Sequence, residues 1–266
     1  IVFPESCNLE EISESAFEGC RETELTIPSY IKYIRKSAFK DNKSLLKITF
    51  AANSSLKVIE DEAFYSCYST SKNVDTTLQL PASLETIGAK AFMSCKLKEV
   101  YLPKDCKLEE IGESAFATNK ISTFGYQDEV QSGQFQIVNS LKTIKKEAFK
   151  EAFALVESKE YKGCSSIVLG DNPSLESIEE NAFIAPSTGS TGLVNVDALN
   201  NISTLTFIDS TAFEKTQFVK DNANKTIVIA GILIQIDDAL ASATTLTLDA
   251  NIKYISNDIF KNKKYT

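Results

Sequence analysis

Six cysteines and a set of paired carboxylates are the side chains that invite a chemical reading, in a chain of 266 residues that contains no histidine. Without histidine there is no Ser-His-Asp or Cys-His hydrolase, no His-ligated zinc and no imidazole base. Chemistry that needs only carboxylates, Lys or Tyr stays open. The carboxylates come as Glu10-Glu11 and Glu109-Glu110, each between a Leu and an Ile, and as Glu179-Glu180. An acid pair can cleave a glycosidic bond. Acidic residues flanking core positions, however, point to solvent and keep a surface soluble. Asp237-Asp238 lacks the alternating aspartates of a calcium loop. No G-x-G-x-x-G, Walker loop, H-E-x-x-H or G-x-S-x-G occurs. No catalytic, cofactor or metal residue is assigned, no cofactor is expected, and a carboxylate-only hydrolase stands as a remote alternative to a protein that is not an enzyme. Sequons such as those at Asn53, Asn201 and Asn224 would matter only in a eukaryotic secretory pathway.

The elements that hold these groups come from a repeat. Leu9-Glu-Glu-Ile12-Ser-Glu-Ser-Ala16-Phe17 returns as Ile31 to Phe39, Leu56 to Phe64, Leu84 to Phe92 and Leu108 to Phe116. It continues as Leu141 to Phe149, Leu175 to Phe183 and Leu205 to Phe213; a ninth copy, Ile252 to Phe260, has Ile259 for the alanine. Nine of the sixteen phenylalanines share this register, at intervals of 22, 25, 28, 24, 33, 34, 30 and 47 residues. Between copies lie alternating segments such as Leu25-Thr-Ile27-Pro28 and Val100-Tyr-Leu102-Pro103, which read as half-buried strands stopped by proline. Each unit reads as a strand, a second short extended Leu-x-x-Ile piece, and a helical turn carrying Ala-Phe. One unit cannot bury its own apolar edge, and stacked copies can, so the fold expected is a solenoid.

The repeat also explains the thiols. Cys20, Cys67 and Cys95 stand three residues after a register phenylalanine, where other copies have Asn42 and Asn119; Cys164 is assigned to the same slot after an insertion. Small residues there can bond turn backbone. Cys7 and Cys106 are four rungs apart, so at about 4.8 Å per rung they lie about 19 Å apart, too far to bridge. Cys67 and Cys95 are on neighbouring rungs and could come close, but no C-x-x-C exists, and free structural thiols are expected.

The pattern Leu-x-x-Ile-x-x-x-Ala-Phe-x-x-Cys/Asn followed by Leu-x-x-Ile/Val-x-Leu-Pro resembles the BspA-like (treponemal-type) leucine-rich repeat family. Residues 1–125 match closely, 126–213 in the Ala-Phe cores only, and 252–260 once more. The resemblance implies an α/β horseshoe-like, β-rich repeat solenoid, with a parallel strand ladder on one face. It also implies an extracellular or cell-surface protein that adheres to a host or neighbouring-cell protein or glycan. A structural spacer within a larger surface protein is the alternative.

The expected organisation is one solenoid domain over 1–266: regular repeats in 1–125, insertion-bearing repeats in 126–223, then a hairpin insertion and last repeat in 224–266. Residues 125–140 read as a polar loop. Ala148, Phe149, Phe153 and Val156 have helical spacing, and 184–204 are rich in Ser, Thr, Gly and Asn. Residues 224–248 read as a hairpin, Thr226-Ile-Val-Ile and Ile232-Leu-Ile-Gln turning at Ala230-Gly231, followed by a strand Leu246-Thr-Leu248. A chain opening at Ile1 inside a strand-like run reads as part of a longer protein. A net charge of −8 argues against a nucleic-acid partner. The longest apolar run, Ile227 to Ile234, is too short to cross a bilayer. If the ladder's Leu, Ile and Val point inward, the exposed face carries Glu24, Thr26, Lys47, Thr49, Thr77, Gln79, Glu99, Tyr101 and Thr123, the candidate partner-binding residues.

Overall fold

The computed structural model describes residues 3–4, 7–68, 76–153, 163–187, 192–237, 245 and 247–261. Each Leu-x-x-Ile piece contributes a two-residue strand. Eight of these stack in parallel in chain order: Glu11–Ile12, Tyr33–Ile34, Val58–Ile59, Thr86–Ile87, Glu110–Ile111, Thr143–Ile144, Ser177–Ile178 and Phe207–Ile208. Register is fixed because the isoleucine of every strand faces its equivalent, Ile12 to Ile34 and on to Ile178 to Ile208, and each of these isoleucines is buried. Slipping by one residue would turn that row outward.

A second set of strands comes from the Leu-x-Ile-Pro segments. Glu24–Ile27 pairs in parallel with Lys47–Phe50, and a separate five-stranded parallel sheet runs Thr77–Gln79, Glu99–Leu102, Thr123–Tyr126, Gln134–Ile137, Ser166–Leu169. The solenoid therefore carries two ladders where the repeat suggested one.

The Ala-Phe segment is not helical. In most copies the residue before the alanine takes a left-handed conformation (Ser15, Ser37, Glu62, Lys90, Ser114, Glu147, Asn181), and so does the second residue after the phenylalanine (Gly19, Asp41, Ser66, Ser94, Thr118, Glu151). A helix would keep every N–H within its own coil. Here the alternation sends every second N–H to the next rung: Ser15, Phe17 and Gly19 donate to the carbonyls of Lys36, Ala38 and Lys40. The intervening N–H groups of Ala16 and Glu18 close tight turns onto Ser13 and Ser15. Phe N–H to Ala carbonyl is repeated seven times, from Phe17–Ala38 to Phe183–Ala212, at 2.8–2.9 Å. The alanines are fully buried, which allows that approach.

The rings follow the backbone. Phe17, Phe39, Phe64, Phe92, Phe116, Phe149, Phe183 and Phe213 form one parallel stack with centroids 5.2–5.6 Å apart and planes within 10°. The intervals of 33 and 34 residues leave the stack undisturbed, because the extra chain goes elsewhere. Part of it forms the strand Gln134–Ile137 inside the segment expected to be a polar loop. Phe135 there, and Phe124 beside it, meet the stack edge-on, Phe135 lying 4.8 Å from Phe149 at 77°. Between Glu110–Ile111 and Thr143–Ile144 the short ladder takes one step while the five-stranded sheet takes two. One side of the solenoid is thus longer by a strand, about 4.8 Å.

Three further expectations change. Ala148, Phe149 and Phe153 lie in the rung turn and its continuation, with Phe153 packed on Phe149 and Phe183, and not in a helix; Val156 is outside the described residues. Residues 247–249 are not a strand, and Leu246 is outside the described residues. The hairpin is present: Ile227–Ile229 and Ile232–Gln235 pair antiparallel around Ala230-Gly231, both at positive φ as a mirror-image two-residue turn requires. Its second strand pairs in parallel with Tyr254–Ile255, and the N–H groups of Lys253 and Tyr254 share the Gly231 carbonyl. Lys142 and Thr143 share the Glu109 carbonyl in the same way. The hairpin is thereby a rung without the Ala-Phe signature.

Candidate functional site

The thiols have a structural role. Asn42 Nδ2 donates to the carbonyls of Phe17 and Phe39 (both 2.7 Å), and Asn119 Nδ2 to those of Phe92 (2.9 Å) and Phe116 (2.8 Å). In the same slot Cys67 Sγ reaches the Phe39 carbonyl at 3.0 Å and Cys95 Sγ the Phe64 carbonyl at 2.9 Å. In these four copies the slot ties the rung to the phenylalanine carbonyl of the rung before. Burial pushes the Cys95 thiol up to about 12 and Cys67 well above the ordinary range, so neither is a nucleophile at neutral pH. All six cysteines are free. Cys164 is not in this slot. It precedes its strand by two residues, as Leu97 and Ile121 precede theirs, and bonds the Gln134 carbonyl. Ala152 occupies the slot in that copy. Thr216 occupies it after Phe213, donating to the Phe213 carbonyl at 2.6 Å and capping the one-turn helix Gln217–Asp221. No sequence cue distinguished Thr216 from a loop threonine.

The paired carboxylates are held in ion pairs along the short ladder. Lys32 meets Glu10 (2.7 Å), Arg35 bridges Glu11 (2.6 Å) and Glu60 (2.7 Å), and Lys142 meets Glu109 (3.0 Å). Lys145 lies between Glu179 (3.3 Å) and Glu110 (3.7 Å), and Lys146 meets Glu180 (2.9 Å). These groups are well exposed, so each pair contributes little stability, but together they link carboxylates of successive rungs through shared cations. Among the described residues no His/Cys/Asp/Glu cluster could hold a metal ion.

The long-strand face differs. Register places Glu24 beside Lys47, Thr26 beside Thr49, Thr77 beside Glu99 and Gln79 beside Tyr101. Glu24, Thr26, Lys47, Thr49 and Gln79 are exposed; Thr77, Glu99 and Tyr101 are half-buried. Thr77 Oγ1 donates to Glu99 at 3.2 Å. Burial and then the neighbouring Glu99 raise the Tyr101 phenol above its usual value. Thr123 does not belong to the face, being 2% exposed. Its strand adjoins the inserted strand Gln134–Ile137, and the chain between them packs closely: a Cβ at Gly125, which lies beside Tyr101, would meet Gln136 at 2.5 Å and Val130 at 3.3 Å. At the carboxyl ends of the strands Lys47–Phe50, Thr77–Gln79 and Glu99–Leu102 the face opens into a pocket of about 300 Å³.

The profile of the BspA type leucine-rich repeat region matches residues 1–79 and 75–188, in six copies. The chain belongs to the BspA-type leucine-rich repeat family. As a member it shares the stacked strand–turn unit described above, which continues beyond the matched residues through Phe213. No curated protein matches the chain. Among solved structures this BspA-type chain is similar to a leucine-rich repeat protein of T. pallidum (22% identity over 71% of this chain and 78% of that one, TM-score 0.48). It is also similar to a leucine-rich repeat protein of Bacteroides ovatus (24% identity, 95% and 68%, TM-score 0.47) and to the pneumococcal vaccine antigen PcpA (21%, 82% and 66%, TM-score 0.33). No helix among the described residues is long and apolar enough to cross a membrane.

Proposed function

We propose that this chain is a recognition module of a surface or secreted protein, which binds a host or neighbouring-cell protein or glycan through its long-strand face and does no catalysis. The observation that carries this reading is the contrast between the two ladders. The short ladder's outer surface is dominated by charged side chains paired across rungs, whereas the long-strand ladder presents a mixed polar row, Glu24, Thr26, Lys47, Thr49 and Gln79, around the half-buried Tyr101. A repeat scaffold that fixes such a row by backbone bonds presents it preorganised, which lowers the ordering cost of binding. Tyrosine is the residue type there that most often anchors interfaces.

The test is binding of the purified chain to arrayed matrix proteins and glycans, beside a variant with Lys47→Ala, Glu99→Ala and Tyr101→Ala. Saturable binding lost in the variant is the expected result. Binding kept by the variant would move the site to the insertions, and no binding at all would leave a structural spacer as the better reading.

A further inference from the structure

The pocket at the carboxyl end of the long-strand face is lined by uncharged residues alone, in a chain of which 24% is charged. Its polar groups are the amides of Asn53, Gln79 and Gln127, the hydroxyl of Ser54, and Tyr101. Ser54 Oγ already accepts the Leu56 N–H at 3.2 Å. The three amides make no side-chain hydrogen bond to any described residue, although each could offer two donors and an acceptor. Glu99 lies two residues back from Tyr101 on the same strand face, and burial together with this carboxylate raises the phenol above its usual value. Pro81 and Pro103, which end their strands, make the floor rigid.

The geometry points to a neutral-carbohydrate site: one or two pyranose units of an uncharged glycan, bound with a sugar face on the Tyr101 ring and vicinal hydroxyls on Gln79, Gln127 and Asn53. A hydroxyl is at once donor and acceptor, and so is a primary amide, so the two match without leaving a charge unpaired. The C–H face of a pyranose lies against an aromatic ring as other apolar surface does. An anionic sugar would find no cation in the lining. A protein segment would need larger apolar anchors than one tyrosine in a pocket at the small end of ligand sites, roughly 300–1,000 Å³. The inference deepens the recognition reading and rests on it.

Titration of the full chain with maltotriose, the N-acetylglucosamine trimer and 3′-sialyllactose, followed by saturation-transfer NMR and calorimetry, tests it. At least one neutral trisaccharide is expected to bind, with Kd rising at least tenfold in Tyr101→Ala and severalfold in Gln79→Ala. Tyr101→Phe, which keeps the ring, and Lys47→Ala, outside the pocket, should leave Kd within about twofold, and circular dichroism melts confirm that each variant is folded. Equal or tighter binding of sialyllactose overturns the proposal, as does neutral-sugar binding indifferent to Tyr101→Ala and Gln79→Ala. No binding of either neutral sugar also overturns it. If a matrix protein is then lost with the Lys47/Glu99/Tyr101 variant, the recognition reading stands and its ligand is protein.

Discussion

The rungs from Phe17 to Phe213 and those beyond use the same backbone bonding but different packing. In the first region eight rings stack, each within 5.6 Å of the next, inside one continuous core. Beyond Phe213, the hairpin and the Tyr254–Ile255 strand keep the shared-carbonyl pattern, and Ile227, Ile229, Ile232 and Ile234 still join the main core, but Leu233, Ile236 and Ile259 form a separate small cluster, and Tyr254 and Ile255 are 43% and 49% exposed. The difference teaches that the strand ladder is set by backbone geometry and a buried aliphatic row. The phenylalanine stack adds the cooperative packing that joins rungs into one unit. The comparison breaks most sharply under deletion of a ring. Phe92→Ala, in mid-stack and fully buried, should cost about 3–5 kcal/mol through the cavity it leaves. Phe260→Ala, half-buried against the satellite cluster, should cost far less and leave the denaturation of the main stack unchanged. Urea titrations followed by both circular dichroism and amide exchange would separate the two, because a repeat array can lose terminal rungs alone. Equal costs would mean that the stack is not the source of cooperativity.

The buried thiols sharpen the same contrast by pH. Cys67, Cys95 and Cys164 lie inside the main core, whereas the rungs beyond Phe213 have no cysteine. In the unfolded chain a thiol ionises near about 8.5. In the fold, burial holds Cys95 protonated up to about 12. A folded value above the unfolded one stabilises fully below about pH 8.5, and that contribution is lost as pH rises toward 12. The main stack should therefore weaken by roughly 1–2 kcal/mol between about pH 8.5 and 10, a figure that counts one such thiol. Cys95→Asn, which installs the amide used at Asn42 and Asn119, should flatten that part of the curve while keeping the tie to the Phe64 carbonyl. An unchanged alkaline slope would place the loss on the lysines instead.

Much of this was legible in the sequence because the repeat is strict where the chemistry is backbone chemistry. Leu-x-x-Ile, Ala-Phe and the Cys/Asn slot each mark a position whose partner is its own copy one rung away, so spacing alone placed them. The turn looks helical in sequence because nothing in Ser, Glu or Lys announces a left-handed conformation; the geometry is imposed by the demand that alternate N–H groups reach the next rung. The strand Gln134–Ile137 is hidden in the sequence because its flanks are polar and it is a second long strand within one repeat interval, for which the other copies give no precedent. Alternation places Thr123 on the face, and its burial beside the inserted strand removes it. The rung at Gly231–Leu233 was read as an inserted hairpin, since it keeps the carbonyl pattern and drops the phenylalanine. The pocket's free amides come from three different units, Asn53, Gln79 and Gln127, and no spacing rule connects them.

The smallest effect concerns the two outer surfaces. Arg35 bridges Glu11 and Glu60 and lies over the Tyr33 ring at 4.6 Å, and hydrogen bonds to Glu60 and Glu11 raise its already high pKa further. That arrangement looks strong, but all its members are well exposed, and exposed pairs are screened by water and salt and offset by side-chain ordering. Arg35→Ala should shift the denaturation midpoint only slightly at low salt and not measurably at high salt. Binding through the other face should be untouched by it. If Arg35→Ala instead abolished binding while Lys47→Ala did not, the recognition surface would be the ion-paired ladder. The matched charges would then be a latent site that a partner opens by exchanging one ion pair for another.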